Sequence, residues 1–183
     1  MKNYRLIIPF IICLVTTSPI FSNNNYPIIL VHGFLGWGKE EVGDRNYWGG
    51  ENDIEQYLID KGYTVYSVSL GPISSTYDCA VETFYQIKGG QVDYGYNHSK
   101  EYGIERKPKG KVYKGLYPKW DENNPVHLLG YSFGGLTARM LLHLLNSTFS
   151  IGKSDNLEES SLLGKPLEKW VKSITTMSTP HNG

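Results

Sequence analysis

The chain has 183 residues, enough for one domain with a real core. Its 18 basic and 18 acidic side chains cancel, and no basic stripe is present, which argues against nucleic acid as a partner. The 14 tyrosines suit a surface that is wet at one end and apolar at the other.

Lys2 and Arg5 precede an apolar run from Leu6 to Val15, and Thr16 to Ser22 then turns polar. This pattern predicts a signal peptide over residues 1–22, cleavage before Asn23, and export. A membrane anchor would need about 20 apolar residues, and this run is shorter and broken by Pro9. Cys13 falls in the signal, so Cys79 alone remains in the exported chain and no internal disulfide forms. Two sequons, at Asn97 and Asn146, matter only in a eukaryotic source.

The exported part, residues 23–183, reads as alternating strands and helices. Tyr26 to Val31 is a continuous apolar run of the kind found in buried parallel strands. Asp53 to Lys61 has helical spacing and stops at Gly62. Thr64 to Leu70 is β-branched and aromatic, hence a strand. Ser74 to Lys88 is helical, with Ser75 or Thr76 as cap and Gly89-Gly90 as stop. Residues 91–124 form a long polar insertion with functional or local structure of its own. Val126 to Tyr131 is a strand, Gly134 to Leu145 a helix, and Trp170 to Ser178 a fourth strand. Ile151 to Lys165 is polar and reads as a surface connection. The alternation implies an α/β fold with a mostly parallel sheet.

Gly130-Tyr131-Ser132-Phe133-Gly134 is a G-x-S-x-G pattern set between that third strand and its helix. This is the placement of the nucleophile elbow in α/β-hydrolases, a sharp turn that projects a serine hydroxyl. Ser132 is the nucleophile candidate. The backbone N–H of Phe133 is one expected oxyanion donor. The N–H of Phe34, in the loop after the first strand, is the second, with Gly33 permitting the bend that aims it. His32, ending that strand, is read as bonding its own loop. A base and its acid are harder to place. After Ser132 the chain offers His143, carried away along the helix, and His181, within the final three residues. The acids are Asp155, Glu158, Glu159 and Glu168, none of them on a strand end. The sheet of this fold needs further strands beyond Ser178 to carry the acid and base, so the expectation is a partial α/β-hydrolase.

Several separated blocks carry a resemblance. Pro27 to Phe34 with Gly36-Trp37, Tyr47 to Gly50, Asp53 to Gln56, Gly62-Tyr63, Gly71 to Ser75, Tyr77-Asp78, Gly89-Gly90, Val92 to Gly95 and Thr179 to Gly183 keep their order and spacing. Over about Tyr26 to Gly183 the chain resembles the N-terminal half of secreted bacterial lipases of the staphylococcal and Geobacillus type. The resemblance implies a triacylglycerol lipase or esterase with helices on both faces of the sheet, a Ser-Asp-His triad, and a lid that opens at lipid surfaces. It places the nucleophile at Ser132 and the oxyanion donors at Phe34 and Phe133. The family's elbow commonly has His before the serine, where this chain has Tyr131.

The same resemblance implies a zinc site in the insertion before the nucleophile strand, with two Asp and two His as ligands, one of those Asp being expected beyond Gly183. Asp78 and His98 match two ligands. The second His position falls on Ile104, and adjacent Glu105 is a conjectural substitute. No cofactor is required for the chemistry itself. The expected partner is a lipid ester at a lipid–water interface. The alternative is an inactive, lipid-binding remnant of such an enzyme.

Overall fold

The computed structural model describes residues 25–39, 41–146, 160–163 and 166–182. The expected signal peptide, most of 151–165, and the acids Asp155, Glu158 and Glu159 lie outside the described residues. The elements are β1 (Ile28–Val31), α1 (Ile54–Asp60), β2 (Val65–Ser67), α2 (Thr76–Lys88), β3 (Gly90–Gln91), α3 (Tyr96–Tyr102), β4 (Val112–Tyr113), β5 (Val126–Tyr131), α4 (Phe133–Asn146) and β6 (Val171–Met177).

Four strands form a parallel sheet in the order β2-β1-β5-β6. Leu30 pairs with Leu129, and Leu129 with Thr175, so the C-terminal ends of β1, β5 and β6 reach the same edge. Ile29, Val31 and Leu128 join Val81, Phe84 and Ile87 of α2 and Leu141, Leu144 and Leu145 of α4 in one core cluster. That face of the sheet is covered by two helices packed on each other. On the opposite face Ile28, His127, Leu129, Ser173 and Thr175 line an open cleft of about 270 Å³ with Tyr26 and Tyr63. Beside it α1 covers this same face at the β2 edge, where Glu55 accepts from the hydroxyl of Ser67, the register partner of Leu30, so helices stand on both faces of the sheet.

Local chemistry sets the ends of the elements. Asp53 caps α1 by accepting from the Gln56 amide at 2.8 Å, and Ser75 caps α2 by accepting from the Asp78 amide at 3.0 Å. β2 is shorter than the sequence suggests. The Ser69 amide donates to the Gln86 side chain at 2.8 Å and the Leu70 amide to His32 at 2.9 Å, which takes both from the strand ladder. The insertion has structure of its own: β3 pairs antiparallel with β4, and α3 lies between them. Two ion pairs with buried carboxylates and partly exposed cations close it, Glu82 with Lys111 at 2.5 Å and Asp93 with Arg106 at 2.7 Å. Ser160, Leu162 and Leu163 correct the reading of 151–165 as surface, because all three are buried and Ser160 meets the Tyr85 hydroxyl at 3.0 Å.

Candidate active site

Ser132 lies between the last residue of β5 and the first of α4, with φ of +54°. A non-glycine residue held there carries ~1–3 kcal/mol of strain, which the surroundings must over-determine. Two backbone bonds do so: the Ser132 amide donates to the Met177 carbonyl on β6 at 2.8 Å, and the Gly135 amide donates to the Ser132 carbonyl at 3.1 Å. The helix can start so close to β1 only because of Gly134. A Cβ there would sit 2.0 Å from the Val31 carbonyl oxygen. The side chain of Ser132 is half-buried at the strand edge.

Gly33 brings the loop after β1 against this turn. A Cβ on it would lie 2.9 Å from the Ser132 Cβ and 3.2 Å from the Phe133 nitrogen. The rings of Phe34 and Phe133 come to 6.0 Å and stand 57% and 47% exposed, so an apolar rim flanks the serine. Phe133 is the first residue of α4, and its amide has no acceptor inside the helix. Among the described residues, neither the Phe34 nor the Phe133 amide donates a hydrogen bond. One of these amides belongs to the residue after the serine, the other to the residue after Gly33. Behind the two rings a cavity of about 20 Å³, lined also by His32, Cys79 and Thr137, has room for a single water.

His32 is placed as the sequence suggests, in service of its own loop. The Leu70 amide donates to Nε2 at 2.9 Å, so Nδ1 carries the hydrogen and donates to the Gly33 carbonyl at 2.9 Å. Burial lowers its pKa from the ordinary 6.5, against a smaller opposing effect of the Gly33 carbonyl. With both nitrogens engaged it is not a base for Ser132. His143 stands on the last turn of α4, beside Arg139 and Met140. His181 is held between helix and sheet. The Arg139 guanidinium, which can only donate, meets Nδ1 at 2.8 Å, and Nε2 then donates to the Thr176 hydroxyl at 3.0 Å. Among the described residues no histidine bonds the Ser132 hydroxyl. Glu168 lies in the turn before β6, at the other end of that strand from the serine.

Asp78 and His98 do come together, with Nε2 and Oδ1 at 2.8 Å and the Tyr77 ring stacked on the imidazole at 3.9 Å. Asp78 lies in the first turn of α2, which Ser75 caps, and His98 lies on α3. Ile104 is a half-exposed apolar residue. Among the described residues no group of three His, Cys, Asp or Glu could hold a metal. Two donors bonded to each other fall short of the four of a tetrahedral zinc site.

Two parts of the site carried no signal in the sequence. One is the Met177 carbonyl that holds the Ser132 amide, because a backbone contact between distant strands leaves no mark on residue type. The other is Tyr47, whose hydroxyl accepts from the Gly33 amide at 2.9 Å. The block Tyr47 to Gly50 stands out in the sequence, but nothing in it tells which way the phenol points.

A family model described as "Lipase-like, C-terminal domain" matches residues 24–183. Lipase 2 of Staphylococcus aureus is 43% identical over 171 residues, covering 87% of this chain and 24% of that protein. Among solved structures, lipase 1 from Pelosinus fermentans superposes with a TM-score of 0.81 at 45% identity, covering 87% of this chain and 43% of its own. Staphylococcus hyicus lipase does so with a TM-score of 0.83 at 38% identity, covering 88% and 43%. The chain thus spans about a quarter of the curated relative and less than half of either solved one. The sequence reading set it against an enzyme's N-terminal half, whereas the family description names a C-terminal domain.

Proposed function

The chain belongs to the lipase-like family, and on that footing we propose that it is the nucleophile-bearing part of a secreted α/β-hydrolase that cleaves carboxylic esters of lipids, triacylglycerols above all. The observation that carries this is the strained Ser132, at φ +54°, with the Gly33 backbone pressed against its Cβ. Strain of this kind, on a serine between strand and helix, supports a nucleophile elbow over an ordinary turn.

In this reading the Ser132 Oγ attacks the ester carbonyl carbon. The carbonyl oxygen gains the negative charge, and the Phe34 and Phe133 N–H groups hold it. Losing one such donor typically costs ~3 kcal/mol in the transition state. A general base takes the Ser132 proton and gives it to the departing alcohol as the ester C–O bond breaks. Water then attacks the acyl-serine, losing a proton to the same base, which returns it to the Ser132 oxygen as the fatty acid is freed. The exposed rings of Phe34 and Phe133 present an apolar rim to the acyl chain. The steps need no cofactor. The chain supplies the nucleophile and both oxyanion donors.

A fluorophosphonate probe tests this directly. Wild-type protein is expected to take up one probe, located by peptide mass spectrometry on Ser132, and Ser132→Ala to take up none. Labelling that persists in the alanine variant would refute it. The ties of His181 to Arg139 and Thr176 favour a second reading, a lipid-binding chain without turnover. That reading expects vesicle binding by both forms and labelling of neither.

A further inference from the structure

The peptide planes on either side of Gly33 decide where the Phe34 amide points. In a planar trans peptide the N–H of Phe34 is antiparallel to the carbonyl of Gly33. That carbonyl is held by the His32 Nδ1–H at 2.9 Å and the Gly36 amide at 3.0 Å. Glycine at 33 is obligatory, since any Cβ would strike the elbow, and glycine is also the residue least able to hold its own torsions. One plane alone does not fix it. The other plane, bearing the Gly33 N–H, ends on the Tyr47 hydroxyl at 2.9 Å.

Tyr47 is itself well held. Its ring meets His32 at 5.5 Å, Trp37 at 5.3 Å, Trp48 at 5.5 Å and Tyr131 at 6.2 Å. Burial raises its pKa above the ordinary 10.0, so the phenol keeps its proton across the neutral range. Tyr131, which directly precedes the serine, packs edge-on against the same phenol. One side chain therefore touches both halves of the site: the loop that carries the Phe34 amide, and the strand end that carries Ser132.

We propose that Tyr47 is a positioning residue of the oxyanion site, its hydroxyl locking the Gly33 amide so that the Phe34 amide stays aimed at the oxygen above Ser132. The inference rests on the ester-hydrolase reading given above. Tyr47 touches no reacting atom, and its contribution is felt where charge develops on the ester oxygen.

The test is Tyr47→Phe in the intact protein, alongside wild type and Ser132→Ala, with a short-chain nitrophenyl ester. Tyr47→Phe keeps the ring and its aromatic neighbours and removes only the oxygen. It should lower kcat about 10- to 100-fold, the range expected when a catalytic group is displaced by up to an ångström. KM should stay within about twofold of wild type, because the oxyanion contact forms in the transition state. Phosphonate labelling of Ser132 should slow in parallel, and exchange of the Gly33 amide hydrogen should quicken. Wild-type kcat in Tyr47→Phe, with Ser132→Ala inactive, overturns the positioning role and leaves the hydrolase reading standing. Wild-type turnover in Ser132→Ala overturns both. Should Tyr47→Phe fold poorly, the Gly33 amide of the wild-type protein decides: slow exchange supports the lock, and exchange as fast as in an open loop overturns it.

Discussion

At the scale of single residues, His32 and Cys79 are set by burial. His32 is neutral, accepting from Leu70 and donating to Gly33, and burial lowers its pKa below 6.5. Protonation would remove the lone pair that Leu70 uses. The sign follows: as pH falls below about 6.5 the unfolded chain takes up the proton first, so stability present above that value declines through the lowered folded value. Urea midpoints measured between pH 4 and 8 should show this decline in wild type and lose it in His32→Asn. The same acid limb in both proteins would show that His32 is not its source. The histidine's structural role was legible beforehand, since a histidine that ends a buried strand must bond something near. Its partner Leu70, 38 residues away, was not.

At the scale of elements, the β5–turn–α4 unit depends on how near helix and strand can come. A Cβ on Gly134 would meet backbone, the Val31 and His32 carbonyl oxygens at 2.0 and 2.7 Å, and backbone in a sheet cannot step aside. A Cβ on the next residue, Gly135, would meet the Thr179 side chain, whose hydroxyl and methyl can rotate while its Cβ, at 2.9 Å, must give slightly. Gly134→Ala is therefore expected to destabilise by about 1–3 kcal/mol or more, and Gly135→Ala by clearly less. Chemical denaturation of the pair checks it; equal losses would mean that the close approach is not what positions Ser132. The strand–serine–helix order was plain in the sequence because periodicity changes sharply at Gly130-Tyr131-Ser132-Phe133-Gly134. The real end of β2 was not, because the side chains of Gln86 on α2 and of His32, just after β1, take its last amides and no local pattern records that.

At the scale of the whole molecule, the core formed by α2, α4 and the sheet encloses groups that titrate only in alkali. Burial pushes the Cys79 thiol up from 9.0 to about 12 and the Tyr77 phenol up from 10.0 to about 12. The native state then keeps protons that the unfolded chain has released. Stability from these groups is fully present below about pH 9 and is lost as pH rises through 12. Urea midpoints between pH 8 and 12 should fall accordingly, and a disulfide reagent should reach Cys79 only on unfolding. Flat stability across that range, or rapid thiol reaction in the native protein, would contradict this. The sequence alone determined the α/β alternation, the serine between strand and helix, and the family blocks, because these are written in periodicity and in short runs of residue types. Only the tertiary structure decided which carbonyl holds the Ser132 amide, which phenol holds Gly33, and that Asp78 and His98 spend their near atoms on each other. Those partners are separated by 45, 14 and 20 residues along the chain, and they meet only once strands pair and loops and helices pack.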